Sequence, residues 1–133
     1  MRRDSREAVY KILFAELFND SQDTDFDNFV FTDMKLNAED TSFAQKLLSV
    51  IRENKETISC IINDFAKGYK LDRIYPTDKC ALFLAIAELK YFDDIPNIVA
   101  IDEALSLVRK FSTEESLNFV NGILAAYKKS IEE

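Results

Sequence analysis

The sequence predicts an all-helical protein. Apolar residues recur at three- and four-residue intervals along most of its length, and only two glycines and two prolines occur in 133 residues. That is too little turn chemistry for a many-stranded sheet. With 47% hydrophobic residues, a chain of this length can bury a sizeable core without disulfides or metals, so a single domain over residues 1–133 is expected.

The first helix is expected to open at Asp4, because D-S-R-E sets an N-cap aspartate three residues before a glutamate that can reach back to it. Along it Val9, Leu13 and Leu17 form one stripe, and Tyr10, Phe14 and Phe18 form a second about 100° round the axis. So wide an apolar arc needs packing on two sides. Residues 19–40 hold seven acidic side chains and one lysine. They read as an acidic connection with a short helix or turn near Phe26 to Phe31. Phe43, Leu47, Val50 and Ile51, then Ile58, Ile61, Ile62 and Phe65, repeat helical spacing on either side of a polar break at 52–55. These are two helices, or one kinked helix.

The segment GYKLDRIYPTDK is the loop candidate, with Thr77 and Asp78 available to cap the next helix. That helix is uncharged from Cys80 to Ala87, and a helix apolar on every side is surrounded by others. Pro96 belongs at or near the first turn of another helix, where its missing amide is tolerated. Ile101, Ala104, Leu105 and Val108 supply the buried face there. Ser112 and Glu115 suggest a capping box for the last helix, with Val120, Ile123, Leu124 and Tyr127 facing inward. Gly122 costs that helix about 1 kcal/mol relative to alanine. With Ala125 and Ala126 it makes an edge without side chains, where a neighbouring helix is expected to approach closely. Asn121 beside it is expected to bond to the backbone of an adjacent element.

The chain has no histidine, so neither a Ser-His or Cys-His nucleophile pair nor a usual zinc set can be written. Gly68 and Gly122 are the only glycines, which excludes Walker and dinucleotide-binding loops. Adjacent carboxylates such as Asp102 with Glu103 point about 100° apart on a helix and read as surface charge. No enzyme, cofactor or metal is expected. Cys60 and Cys80 both fall in apolar helical runs and are expected to be buried and reduced. No apolar run reaches a membrane span and no secretory cleavage pattern is present, so a cytoplasmic protein is expected.

The net charge is −7, which argues against a surface devoted wholesale to nucleic acid. Residues 1–11 depart from this with Arg2, Arg3, Arg6 and Lys11 against Asp4 and Glu7. Arginines at a helix N-terminus oppose the macrodipole, so helix stability does not account for them. Tyr69, Lys70, Arg73 and Lys79, with Tyr75 beside them, interleave rings and cations as a base-stacking surface requires. A solvated terminus and an ordinary surface loop are the competing roles.

From Asp78 onward, DKCALFLAIAELKYFDDIPNIVAIDEALSLVRKFSTEESLNFVNGILA resembles the C-terminal half of the NusB family of bacterial transcription antitermination factors. The matching pieces are Asp78-Lys79, Glu88-Leu89, Ile95-Pro96, Val99 to Ala104, and Ser116 with Phe119 to Leu124. RRDSREAVYKILF is similar to that family's arginine-rich start. Asp102, Phe83 and Ala125-Ala126 depart from the pattern, and Phe83 stands where an arginine is common.

The resemblance implies an all-α fold of about seven helices in two small packed bundles, and a non-enzymatic role. It implies binding of boxA-type single-stranded RNA together with the ribosomal protein NusE, and help to RNA polymerase in reading through terminators, notably in ribosomal RNA operons. It assigns RNA contact to Arg2, Arg3 and Arg6. The loop group Tyr69, Lys70, Arg73 and Lys79 is expected beside the first helix, so that Arg6 and Arg73 share one basic patch. Phe14 and Asp78 match positions at or near the NusE contact, with Tyr10 and Phe18 on the same stripe; core packing is the competing role for these aromatics. The alternative is a helical protein–protein adaptor that keeps the NusE contact with little or no RNA binding, in keeping with the acidity and Phe83.

Overall fold

The computed structural model describes residues 1–19, 22–68 and 71–133. These form α1 (Arg2–Asn19), α2 (Thr24–Asp33), α3 (Ala38–Glu53), α4 (Lys55–Phe65), a 3-10 turn (Leu71–Arg73), α5 (Pro76–Tyr91), α6 (Asn97–Phe111) and α7 (Glu114–Glu132). No strand occurs among the described residues.

Local chemistry sets most boundaries. Asp23 caps α2 by accepting from the amides of Asp25 and Phe26, and Asn37 caps α3 by accepting from Asp40 N at 2.8 Å. Asn54 alone separates α3 from α4, and its side-chain amide donates to Val50 O at 2.8 Å. The polar break therefore divides two helices. Lys67 and Gly68, both at positive φ, turn the chain away from the end of α4. Pro96 lies at the N-cap of α6.

Three starts differ from expectation. α1 begins at Arg2, with Asp4 inside the first turn and its amide donating to Met1 O at 2.9 Å. α5 begins at Pro76 without a side-chain cap, leaving Thr77 and Asp78 within its first turn. α7 is capped by Thr113, which accepts from Ser116 N at 3.1 Å. Ser112 instead closes α6 as its C-cap, its amide donating to Val108 O at 2.8 Å.

α2 and α3 pack on α1, while α4, α6 and α7 pack with α5; α1 and α3 also lie against α5 and join the two groups. All residues from Cys80 to Leu89 are buried. Leu82, Leu84 and Ile86 are fully enclosed, and cutting any one to alanine is expected to cost about 2–5 kcal/mol. Ser5, also fully buried, ties α1 to α3 by donating to Asp40 O at 2.8 Å.

Two helix faces run against the sequence reading. Val120, Ile123, Leu124 and Tyr127 do face inward, but this leaves Asn121 and Gly122 exposed. Apart from its chain neighbours and the backbone of its own helix, no atom lies within 4 Å of where a Gly122 Cβ would stand. The bare edge meets no neighbouring helix, and Asn121 needs no buried partner. Cys80 is buried as expected, whereas Cys60 is exposed because the inner face of α4 is set by Ile58 and Ile62.

Candidate nucleic-acid and partner interface

Glu88 sits on the central helix and is 1% exposed. A carboxylate there is very unfavourable unless paired. Arg6 supplies the partner: Nε donates to Oε2 at 2.9 Å and to Oε1 at 3.1 Å, and Nη2 to Oε1 at 2.7 Å. Burial pushes the Glu88 carboxyl up from its ordinary range, with Arg6 working against it. Arg6 is therefore an internal tie, and the expectation of a surface RNA contact there is not met. A charge interrupting CALFLAIAEL was the available signal, since such a group requires a counter-ion from elsewhere in the chain.

Arg2 and Arg3 are on the surface. The Arg2 guanidinium lies 4.3 Å from the Phe43 ring centre and 3.7 Å from Asp94. Arg3 donates to Glu103 from Nε at 3.1 Å and from Nη2 at 3.5 Å. The Met1 amine pairs with Asp40 and Asp4.

At the start of α5 lies a hollow of about 310 Å³ whose lining includes Arg73, Tyr75, Glu115 and Phe119, with Asp78 and Ser116. Arg73 is exposed, Lys79 is half-buried and Tyr75 is 69% exposed. Tyr69 and Lys70 lie outside the described residues. Asp78 and Glu88 are ten residues apart on one helix, about 15 Å of rise. The N-terminal arginines thus gather toward one end of α5 and Arg73 lies at the other, so the single patch expected of Arg6 and Arg73 does not form. Glu115 and Phe119 join Arg73 here, which loop composition did not reveal because they come from α7. Phe83 is buried.

The stripe on α1 divides in the same way. Tyr10 is 3% exposed; its hydroxyl donates to Thr77 O at 3.0 Å and its ring stacks on Phe111 at 5.3 Å. Burial raises the phenol's pKa well above its usual value. Asp78 is 2% exposed and accepts from Ser112 Oγ at 3.2 Å and Ser116 Oγ at 2.8 Å. Tyr10 offers no surface to a partner and Asp78 only the floor of the hollow; both join α1, α5, α6 and α7 beneath the surface. Phe14 and Phe18 are exposed, with rings 5.1 Å apart, and Leu17 and Phe111 are exposed as well. Phe111 was missed because its exposed edge comes from the end of α6, which sequence alone does not place against α1.

Residues 3–129 match the NusB family model. The chain belongs to the NusB family. Transcription antitermination protein NusB of Methylacidiphilum infernorum (isolate V4) is 40% identical, over 96% of this chain and 90% of its own length. The structure of T. maritima NusB superposes with a TM-score of 0.87 at 32% identity, covering 97% of this chain and 91% of that one. A crystal structure of antitermination factors NusB and NusE in complex with dsRNA gives a TM-score of 0.88 at 25% identity, covering 97% and 96%. The all-α, NusB-like fold that the sequence predicts is thus observed. Within this NusB-family chain, Phe119 lines the hollow while Val120, Ile123 and Leu124 anchor its helix in the core. Among the described residues no helix is long and apolar enough to cross a membrane.

Proposed function

We propose that this chain is an antitermination adaptor that holds boxA-type single-stranded RNA and NusE at once and promotes read-through by RNA polymerase, notably in ribosomal RNA operons. The observation that carries the pairing of RNA with NusE is the likeness, over nearly the whole chain, to a NusB solved with NusE and dsRNA; the single-stranded form is this reading's own. The hollow at the start of α5 would take unpaired nucleotides chiefly by stacking on Tyr75 and Phe119, with Arg73 as its one cation set against the carboxylates of Asp78 and Glu115 in the same lining. Lys79, half-buried in the first turn of α5, would add a cation near it, Tyr69 and Lys70 are assigned to RNA contact from the sequence alone, and Arg2 and Arg3 would hold the RNA toward the other end of α5. Phe14 and Phe18, with Leu17 and Phe111, make an exposed apolar surface for NusE. Two modest sites linked in one complex reinforce each other through effective concentration.

Titrating a fluorescent boxA RNA with the protein, with and without NusE, tests the reading. Arg73→Ala and Tyr75→Ala are expected to weaken RNA capture, and Phe18→Ala to weaken NusE capture. Unchanged RNA binding in the Arg73 and Tyr75 variants would remove the hollow from the interface. The pairing of Arg3 with Glu103 and the burial of Arg6 favour the second reading, an adaptor that binds NusE with little RNA affinity of its own. Wild-type protein that binds NusE but leaves RNA affinity unchanged would select it.

A further inference from the structure

Each cation of the first three residues already has an acidic partner within the chain: the Met1 amine has Asp40, Arg2 has Asp94 and Arg3 has Glu103. These pairs are not equivalent. Arg2 and Asp94 are both well exposed and 3.7 Å apart, a loose contact. Arg3 meets both oxygens of Glu103, and while the Arg3 side chain is 68% exposed, that of Glu103 is only 19% exposed. Glu103 is also held from behind by Arg6 Nη1 at 4.0 Å, and Arg6 is itself fixed by Glu88. The carboxylate is therefore anchored, and the arginine is the solvent-exposed partner that a ligand can reach.

We infer that Glu103 sets the RNA affinity of this protein by competing with phosphate for the Arg3 guanidinium. The inference rests on the RNA-binding function proposed for the chain. A guanidinium docked on a carboxylate offers its forked face to that carboxylate and not to a phosphate. While Arg3 stays on Glu103 it neutralises no backbone charge, and the complex forms with one phosphate contact fewer than the arginine count allows. Glu103 thus acts as a built-in decoy for the RNA backbone, and Asp94 does the same for Arg2 more weakly.

The test is a salt titration of boxA RNA binding in the presence of NusE. Glu103→Gln keeps the size of the side chain and removes its charge. It is expected to tighten binding roughly threefold to fivefold, the scale of one exposed ion pair. It is also expected to steepen the dependence of log K on log salt by about 0.7, the value for one added contact to a single strand. Combining it with Arg3→Ala should abolish both effects. Asp102→Asn makes the same charge change on an exposed neighbouring residue of α6 and should leave the salt slope unaltered. Should Glu103→Gln perturb the Arg6 tie and lower the melting temperature, Asp94→Asn with Arg2→Ala as its cancelling partner repeats the test at two exposed residues.

Unchanged affinity and slope in Glu103→Gln, a gain that survives Arg3→Ala, or an equal gain in Asp102→Asn would each overturn the inference while leaving RNA binding intact. Wild-type protein that fails to bind the RNA with NusE at any salt concentration would instead remove the RNA-binding function, and the decoy role with it.

Discussion

Arg6 and Glu88 stand 82 residues apart in sequence, yet they close on each other in the interior with side chains 5% and 1% exposed. Removing one partner leaves the other charged and enclosed, so Arg6→Ala is expected to cost about 3–5 kcal/mol in denaturant unfolding. Replacing both by apolar residues of similar volume should recover most of that. A loss in Arg6→Ala below about 1 kcal/mol would show that water reaches the site.

The same pair gives a pH dependence whose sign follows from the burial of Glu88. Burial raises the carboxyl of folded Glu88 above its unfolded value. The folded state therefore holds this proton where the unfolded chain has released it, and the group's contribution to stability falls as pH rises from the ordinary carboxylate range through the raised value. Without Arg6 the upward shift grows. Unfolding free energies of Arg6→Ala should improve relative to wild type on going from about pH 7 to about pH 5, and Glu88→Gln in that background should flatten the difference.

Gly122 is the position where a substitution should stabilise the fold. It sits inside α7 with open space where a Cβ would stand. Gly122→Ala is expected to stabilise by about 0.5–1 kcal/mol, read as a rise in the thermal midpoint. A lower midpoint would mean that something packs there after all.

Tyr10 and Phe18, on one stripe of α1, should separate support from contact. Tyr10→Phe removes the 3.0 Å bond to Thr77 O and should cost about 0.5–1.5 kcal/mol of stability. Phe18, 66% exposed, should tolerate alanine within about 0.5 kcal/mol while NusE capture falls in a pull-down with purified NusE. The opposite pattern would exchange their roles.

The two cysteines should differ in reactivity. Burial pushes the Cys80 thiol up to about 12, whereas Cys60 is exposed. A thiol reagent at neutral pH should label Cys60 alone, with Cys80 reacting only on unfolding. Mass spectrometry of labelled peptides reads this directly.

Much of the architecture was legible because helices are specified locally. The apolar spacing in α1, α3, α4 and α7, the continuous run in α5 and Pro96 before α6 all place elements correctly, since period, caps and proline act within a turn or two. Cap choice was harder: Thr113 and not Ser112 opens α7, because Ser112 still closes α6 through its amide to Val108 O, while its hydroxyl turns to Asp78, 34 residues earlier in the chain. The site was less legible still. Arg6 and Arg3 look alike in sequence, and only the approach of α5 and α6 makes one an internal tie and the other a surface group.

The amino-acid order alone thus determined the all-α class, the burial of α5 and the resemblance to the NusB family, because each depends on spacing within short segments. The tertiary structure decided which charges are enclosed, which aromatics of α1 reach the surface, and that Arg73 shares its hollow with Glu115 and Phe119 and not with Arg6. Those outcomes depend on distances between remote segments, and whether a side chain finds a counter-ion or water is settled only once the helices have packed.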